Sequence, residues 1–109
     1  MKFKNMFSPI QIGPMTVKNR FVVPPMGNNF ANSDGTWSDE SVAYYGERAK
    51  GQFGLITIEA TVVHKGAKGG PKKPCLYDDN SIESLKKITD ACHEEGAKVS
   101  IQLQNAGPE

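Results

Sequence analysis

Residues 19–29 read NRFVVPPMGNN: an apolar run, Phe21-Val22-Val23, is stopped by two prolines and opens into Met26-Gly27-Asn28-Asn29. β-branched and aromatic residues halted by proline predict a buried strand that runs into a structured loop. The same design returns at residues 54–64, GLITIEATVVH, and at residues 97–107, AKVSIQLQNAG. Each later stretch is a buried strand closed by small or amide residues, and a helical pattern precedes it. Strand, helix, strand, helix, strand is the outline of parallel βα units, whose ligands bind at the carboxyl ends of the strands.

Upstream, residues 7–18 (FSPIQIGPMTVK) alternate apolar and polar positions on both sides of Gly13-Pro14. Ile10 and Ile12 then face Met15 and Val17 in a β-hairpin, a plug or lid beside the main sheet. After the first strand, an Asp34-Gly35 turn leads to Ser38, which caps a helix carrying Asp39 and Glu40 in its first turn. Val42, Tyr45 and Ala49 recur at helical spacing and Gly51 ends the helix. Asn80 and Glu83 predict a capping box for the second helix, with Ile82, Leu85, Ile88 and Cys92 as its inward stripe and Gly96 as its stop. The strand starts near Phe21, Leu55 and Val99 lie about one βα unit apart, a unit averaging about 31 residues in an eight-unit barrel of ~250.

The chain has 109 residues, 38% of them hydrophobic, and a formal net charge of +1. This bounds it to one domain and gives no electrostatic case for nucleic acid or an anionic membrane. No apolar run approaches a membrane span, and the opening Met1-Lys2-Phe3-Lys4-Asn5 lacks a signal-peptide core. Cys75 and Cys92 show no metal or redox spacing, which fits a reducing compartment and predicts a cytoplasmic protein. The sequence ends just after the third strand, before a helix that would cover it. The expectation is the front part of something larger, or a chain that borrows its cover from a partner.

In the second strand, Ile56, Ile58 and Ala60 are expected on one face and Thr57, Glu59 and Thr61 on the other. Glu59 inside a buried strand is costly without a partner, and a structural ion pair is the preferred account over a site role. Tyr44 and Tyr45 read as packing residues. The lysines of HKGAKGGPKKP (Lys65, Lys68, Lys72, Lys73) lack a P-loop ending and read as a solvated rim loop, with His64 on the same rim and His93 on a helix surface. What gathers at the shared strand edge is more informative. Pro25, Met26 and Gly27 follow strand one, Ala60 and Thr61 close strand two, and residues 102–105 close strand three. Small residues allow close backbone approach. The amides of Gln102 and Asn105 can donate and accept at once, which suits the edge of a planar heterocycle such as a flavin or nucleobase. The pattern holds no nucleophile–base pair and no metal cluster.

The blocks FSPIQIG…VKNRFVVPPM, YY…RAKGQFGLITIEATVV and GAKVSIQLQNAG, in this order and spacing, closely resemble the N-terminal part of the Old Yellow Enzyme family, which includes ene-reductases and the larger dienoyl-CoA and enoate reductases. The resemblance runs from about Phe7 to Gly107. It implies an α/β fold, the N-terminal part of an FMN-binding (β/α)8 TIM barrel closed at the bottom by the hairpin. It also implies hydride passage from NADH or NADPH through FMN to an activated alkene: an enone, enoate or enoyl thioester. On this resemblance Pro25 and Met26 lie along the flavin, Ala60 packs at its polar edge and Gln102 hydrogen-bonds its pyrimidine ring. Gly27 stands where many relatives carry a threonine or cysteine that tunes the flavin. Many relatives read Gln-Leu-x-His-Ala-Gly-Arg where this chain has Gln102-Leu103-Gln104-Asn105-Ala106-Gly107-Pro108, so Asn105 replaces a titratable group at a substrate-binding position.

The family's substrate-anchoring pair, proton-donating tyrosine, flavin-phosphate site and iron–sulfur cysteines lie on later strands and loops. An iron–sulfur cluster is therefore expected only in a longer chain. The leading expectation is that residues 1–109 are a partial barrel domain, truncated after the third strand, contributing one wall of an FMN site with no catalytic residue of its own. The alternative is a non-catalytic fragment that docks with the remainder of the barrel or self-associates through its open third strand.

Overall fold

The computed structural model describes residues 2–67 and 72–105. A hairpin comes first: β1 (Ile10–Ile12) runs antiparallel to β2 (Met15–Val17), with Ile10 opposite Val17 and Ile12 opposite Met15. It forms a sheet of its own, as the alternation about Gly13-Pro14 predicts. The main sheet is parallel, with β3 (Val22–Val23), β4 (Leu55–Val62) and β5 (Lys98–Gln104) in that spatial order. Helix α1 (Asp39–Lys50) lies between β3 and β4 in the chain, and α2 (Ile82–Glu94) between β4 and β5. β3 is only two residues long because Pro24 and Pro25, next in line, have no N–H for the ladder.

Both helices pack on one face of this sheet. Tyr45 and Ala49 of α1 meet Ile88 and Cys92 of α2 over Val23, Ile56 and Ile58, with Trp37 and Ala97 completing the buried cluster. Each buried isoleucine contributes roughly 1.5–3 kcal/mol through removal of apolar surface from water. Burial pushes the Cys92 thiol up to about 11, so it stays a neutral core residue. The opposite sheet face is open: Val22 is 48% exposed, and the Thr57 and Ser100 hydroxyls share a 2.7 Å hydrogen bond there.

The helix ends depart from the sequence expectation at the start of α2. Ser38 caps α1 as predicted, its hydroxyl accepting from the Ser41 N–H at 3.2 Å. At the other end Gly51 ends the helix as expected, at an ordinary φ of −71°, and the left-handed residue that follows is Gln52 at +72°. Gln52 is held there from outside the helix, its carbonyl by Asn19 Nδ2 at 2.7 Å and its side chain by Lys18 Nζ at 2.9 Å. Asn80 and Glu83 form no capping box. Asp78 instead accepts from Asn80 N–H at 2.9 Å in a 3-10 turn, Asp79–Ser81, that precedes α2, and the Ser81 hydroxyl donates to Cys75 O at 2.6 Å. That offset leaves Ile82 57% exposed, so the inward stripe begins at Leu85. Gly96, at φ +80°, stops the helix as expected.

The hairpin's exit closes the edge of the sheet where the strands begin. Lys18 Nζ reaches past Gln52 to donate to Glu95 O at 2.6 Å, setting one cation at the carboxyl ends of both helices, where the helix dipoles favour it. Gly54, just before β4, packs so closely on Val17 and Asn19 that an added Cβ would lie 2.8 Å from Val17 Cγ1 and 2.6 Å from Asn19 Oδ1. The hairpin therefore plugs the amino-terminal edge and leaves the carboxyl edge open. Among the described residues, no helix is long and apolar enough to cross a membrane.

Candidate functional site

The carboxyl edge is shaped by a bulge in β4. Ile58 pairs with Ile101 and Thr61 with Leu103, so Glu59 and Ala60 together stand opposite Gln102. The extra residue breaks the strict alternation expected for this strand. Ile56 and Ile58 face the helices as predicted, but Glu59 turns to the same side and meets Tyr45 of α1.

Glu59 is 1% exposed, and its partners are hydrogen-bond donors instead of the expected ion-pair cation. The Tyr45 hydroxyl donates to its carboxylate at 3.3 Å and accepts from its backbone N–H at 3.0 Å; Asn28 N–H donates to the other carboxylate oxygen at 3.3 Å. Among the described residues no lysine, arginine or histidine forms a salt bridge with it. Burial raises the Glu59 pKa above its ordinary value, partly offset by the Asn28 and Tyr45 hydrogen bonds and by the charge of Lys73. Burial also raises the Tyr45 hydroxyl, so it remains a neutral donor. Tyr45 is thus more than a packing residue. Tyr44 does pack, edge-on to Tyr45 with ring centroids 5.0 Å apart and with the Arg48 guanidinium 3.5 Å above its ring.

This buried network ties the turn after β3 to the bulge of β4, and the sequence-predicted residues lie on that frame. Met26 is 48% exposed and Gly27 is exposed beside it. Pro25 and Ala60 are half-buried, Ala60 directly across from Gln102. Gln102 is exposed, and its side-chain amide has no partner among the described residues. The structure therefore brings Ala60 and Gln102 side by side and anchors the turn containing Pro25, Met26 and Gly27 to the same bulge. Asn105 follows β5, exposed, and residues 106–108 of the third motif lie outside the described residues.

The rim lysines divide. Lys65 rests over the Tyr77 ring at 5.7 Å, and Lys68 lies outside the described residues. Lys73 turns to the edge itself: its Nζ lies 3.7 Å from where a Cβ at Gly27 would stand. His64 is exposed and occupied locally, its Nδ1 accepting from Gly66 N–H at 3.1 Å. His93 is exposed on α2. Among the described residues no group of three or more His, Cys, Asp or Glu side chains could hold a metal ion. Sequence reasoning missed the hydrogen-bonding role of Tyr45 and the position of Lys73. The signal for Tyr45 was Glu59, a buried carboxylate in need of donors; nothing local marked Lys73.

Comparison with known proteins agrees with this architecture. The model of the NADH:flavin oxidoreductase / NADH oxidase family matches residues 5–109. The Old Yellow Enzyme from Trypanosoma cruzi superposes with a TM-score of 0.88 at 36% identity, over 98% of this chain and 28% of its own. The Old Yellow Enzyme from Pichia sp. AKU4542 gives 0.86 at 36% identity, over 93% and 26%. A 2-naphthoyl-CoA reductase, solved with 2-naphthoyl-CoA, gives 0.91 at 33% identity, over 95% and 16%. The chain thus spans less than a third of the length of each of these three relatives. A parallel βαβαβ sheet with a plugged amino edge and an open, bulged carboxyl edge is the N-terminal part of their TIM barrel, and the chain belongs to the NADH:flavin oxidoreductase / NADH oxidase family.

Proposed function

We propose that residues 1–109 are a partial barrel domain forming one wall of an FMN site, in an NAD(P)H-dependent oxidoreductase that reduces activated C=C bonds. The observation that carries this reading is the exposed amide of Gln102, without a partner among the described residues, opposite Ala60 at the bulge and beside the exposed Met26 and bare Gly27. The residues present fit a flavin. A free amide that donates and accepts matches the alternating C=O and N–H edge of its pyrimidine ring. Pro25 and Met26 offer apolar contact, and Gly27 and Ala60 allow the backbone to come close.

When bound, FMN supplies the hydride chemistry, taking a hydride from reduced nicotinamide and giving one to the alkene. This chain binds and orients. Gln102 fixes the ring edge, and the buried Tyr45–Glu59–Asn28 network holds the Pro25–Gly27 turn rigid, so that little ordering is left to the moment of binding. Asn105, on the same edge, is the substrate contact. The substrate is an enone, enoate or enoyl thioester, and the 2-naphthoyl-CoA held by one relative supports the thioester. The protein works in the cytoplasm.

An FMN titration tests this reading, following flavin fluorescence and visible absorbance. It compares the 109-residue chain with a complete-barrel form, the same chain continued through the remaining barrel of the T. cruzi relative. Saturable binding and NAD(P)H oxidation by the complete-barrel form are expected; a complete-barrel form that folds but stays colourless refutes the cofactor. A second reading, a non-catalytic assembly piece, is favoured by the open edge strand β5, whose Leu103 is 62% exposed. It predicts a dimer or larger species on size-exclusion chromatography, where a clean native-like monomer counts against it.

A further inference from the structure

Lys73 stands out once the edge is assembled. Its neighbours in sequence are pinned to the end of β4. Val62 N–H donates to Pro74 O at 2.9 Å, Leu76 N–H to Val62 O at 2.7 Å, and Cys75 N–H to Gly35 O at 2.8 Å. Cys75 thereby forms a parallel bridge with Val62, and Pro74 is buried. This backbone fixes Lys73 at the carboxyl edge instead of leaving it on a free loop. Its ammonium lies 3.7 Å from the place a Gly27 Cβ would hold, so the space that any side chain at position 27 would enter is bordered by a positive charge. Lys73 is half-buried, and among the described residues it forms no salt bridge and donates no hydrogen bond. Glu59 feels its charge, but that carboxylate is already held by Tyr45 and Asn28. A half-buried lysine whose ammonium spends no hydrogen bond among the described residues, at the wall where a planar ligand would lie, is placed to meet a ligand that carries or acquires negative charge.

We propose that Lys73 is a cation of this site: facing the bound flavin across Gly27, it favours the anionic reduced form over the neutral oxidised one and so raises the reduction potential. The inference rests on the FMN reading given above. A unit charge a few ångströms from a redox centre, partly screened by solvent, is worth on the order of tenfold in an equilibrium constant.

The experiment measures the flavin midpoint potential in the complete-barrel form by dye equilibration, for the parent, Lys73→Met and Lys73→Arg. Methionine keeps an unbranched side chain of similar length without the charge; arginine restores the charge. Lys73→Met is expected to shift the reduction equilibrium about tenfold toward oxidised flavin, which is about 30 mV lower for a two-electron couple. Lys73→Arg is expected to stay within about threefold of the parent. A Lys73→Met protein that binds FMN with the parent potential overturns the inference and leaves the FMN reading intact. A parent that binds no FMN overturns both. A purely structural role for Lys73 moves the unfolding midpoint and leaves the potential where it was, which also overturns the inference.

Discussion

Tyr45→Phe removes one oxygen from the core and keeps the ring, so it isolates the hydrogen bonds from the packing. Tyr45 is 1% exposed, and its hydroxyl makes two bonds to one residue: it accepts from Glu59 N–H at 3.0 Å and donates to the Glu59 carboxylate at 3.3 Å. The amide lies at the bulge, where the β4–β5 ladder offers it no acceptor, so losing Tyr45 leaves a buried donor unsatisfied at about 1–3 kcal/mol. The carboxylate keeps Asn28 N–H but loses its other donor, a bond to a charged group worth about 1.5–3 kcal/mol. Since the two losses share one site and do not add fully, the expected destabilisation is about 2–4 kcal/mol. Reversible urea unfolding followed by far-ultraviolet circular dichroism measures it, with Tyr44→Phe as the control. No hydrogen bond involves the Tyr44 hydroxyl among the described residues, and that control should stay within about 0.5 kcal/mol. A Tyr45→Phe loss no larger than the control's would show that the hydroxyl does not serve Glu59, and the rigid-frame argument for the Pro25–Gly27 turn would go with it.

Three further outcomes follow from the same geometry. Glu59 has a folded pKa raised above the ordinary 4.5 by burial, so its stabilising contribution is fully present below about 4.5 and is lost as pH rises through the folded value. Glu59→Gln cannot ionise; its stability relative to the parent should therefore improve as pH rises from about 4.5 through the folded value in paired urea titrations, and a difference that does not change with pH would refute the raised pKa. Gly35→Ala places a methyl group 2.8 Å from both Cβ and Sγ of Cys75 at a φ of +89°, which should destabilise by roughly 2–4 kcal/mol; a neutral thermal melt would mean the loop is not pinned to Cys75. Gln102→Ala in the complete-barrel form should weaken FMN binding about tenfold while leaving the urea midpoint in place, because its exposed amide has no partner among the described residues; an unchanged flavin affinity would remove Gln102 from the site.

Much of this molecule is local in origin and was legible from the residues in order. Strand patterns, the Gly13-Pro14 hairpin, the Ser38 cap and the Gly96 stop depend on neighbours a few positions apart, and each stands where expected. The membership of Pro25, Met26, Gly27, Ala60 and Gln102 in one edge was legible too, because parallel βα units put every strand's carboxyl end on the same side. What the sequence could not determine is where periodicity breaks. A bulge depends on how two strands separated by a whole helix come into register, so the facing of Glu59 was decided only when β5 lay beside β4. Its partners Tyr45 and Asn28 are 14 and 31 positions away, and the ion pair anticipated from burial gave way to a hydroxyl and an amide. The start of α2 tells the same story: Asn80 sits in a 3-10 turn because Ser81 is drawn to the carbonyl of Cys75, itself bridged to Val62. Lys73 is the clearest case, since one lysine among four in a glycine-rich loop comes to stand beside Gly27 at the carboxyl edge through the backbone bonds that pin Pro74 and Cys75. Periodicity and turn chemistry act over a few residues and can be read in order; a charge or a donor gains its role from what is folded against it.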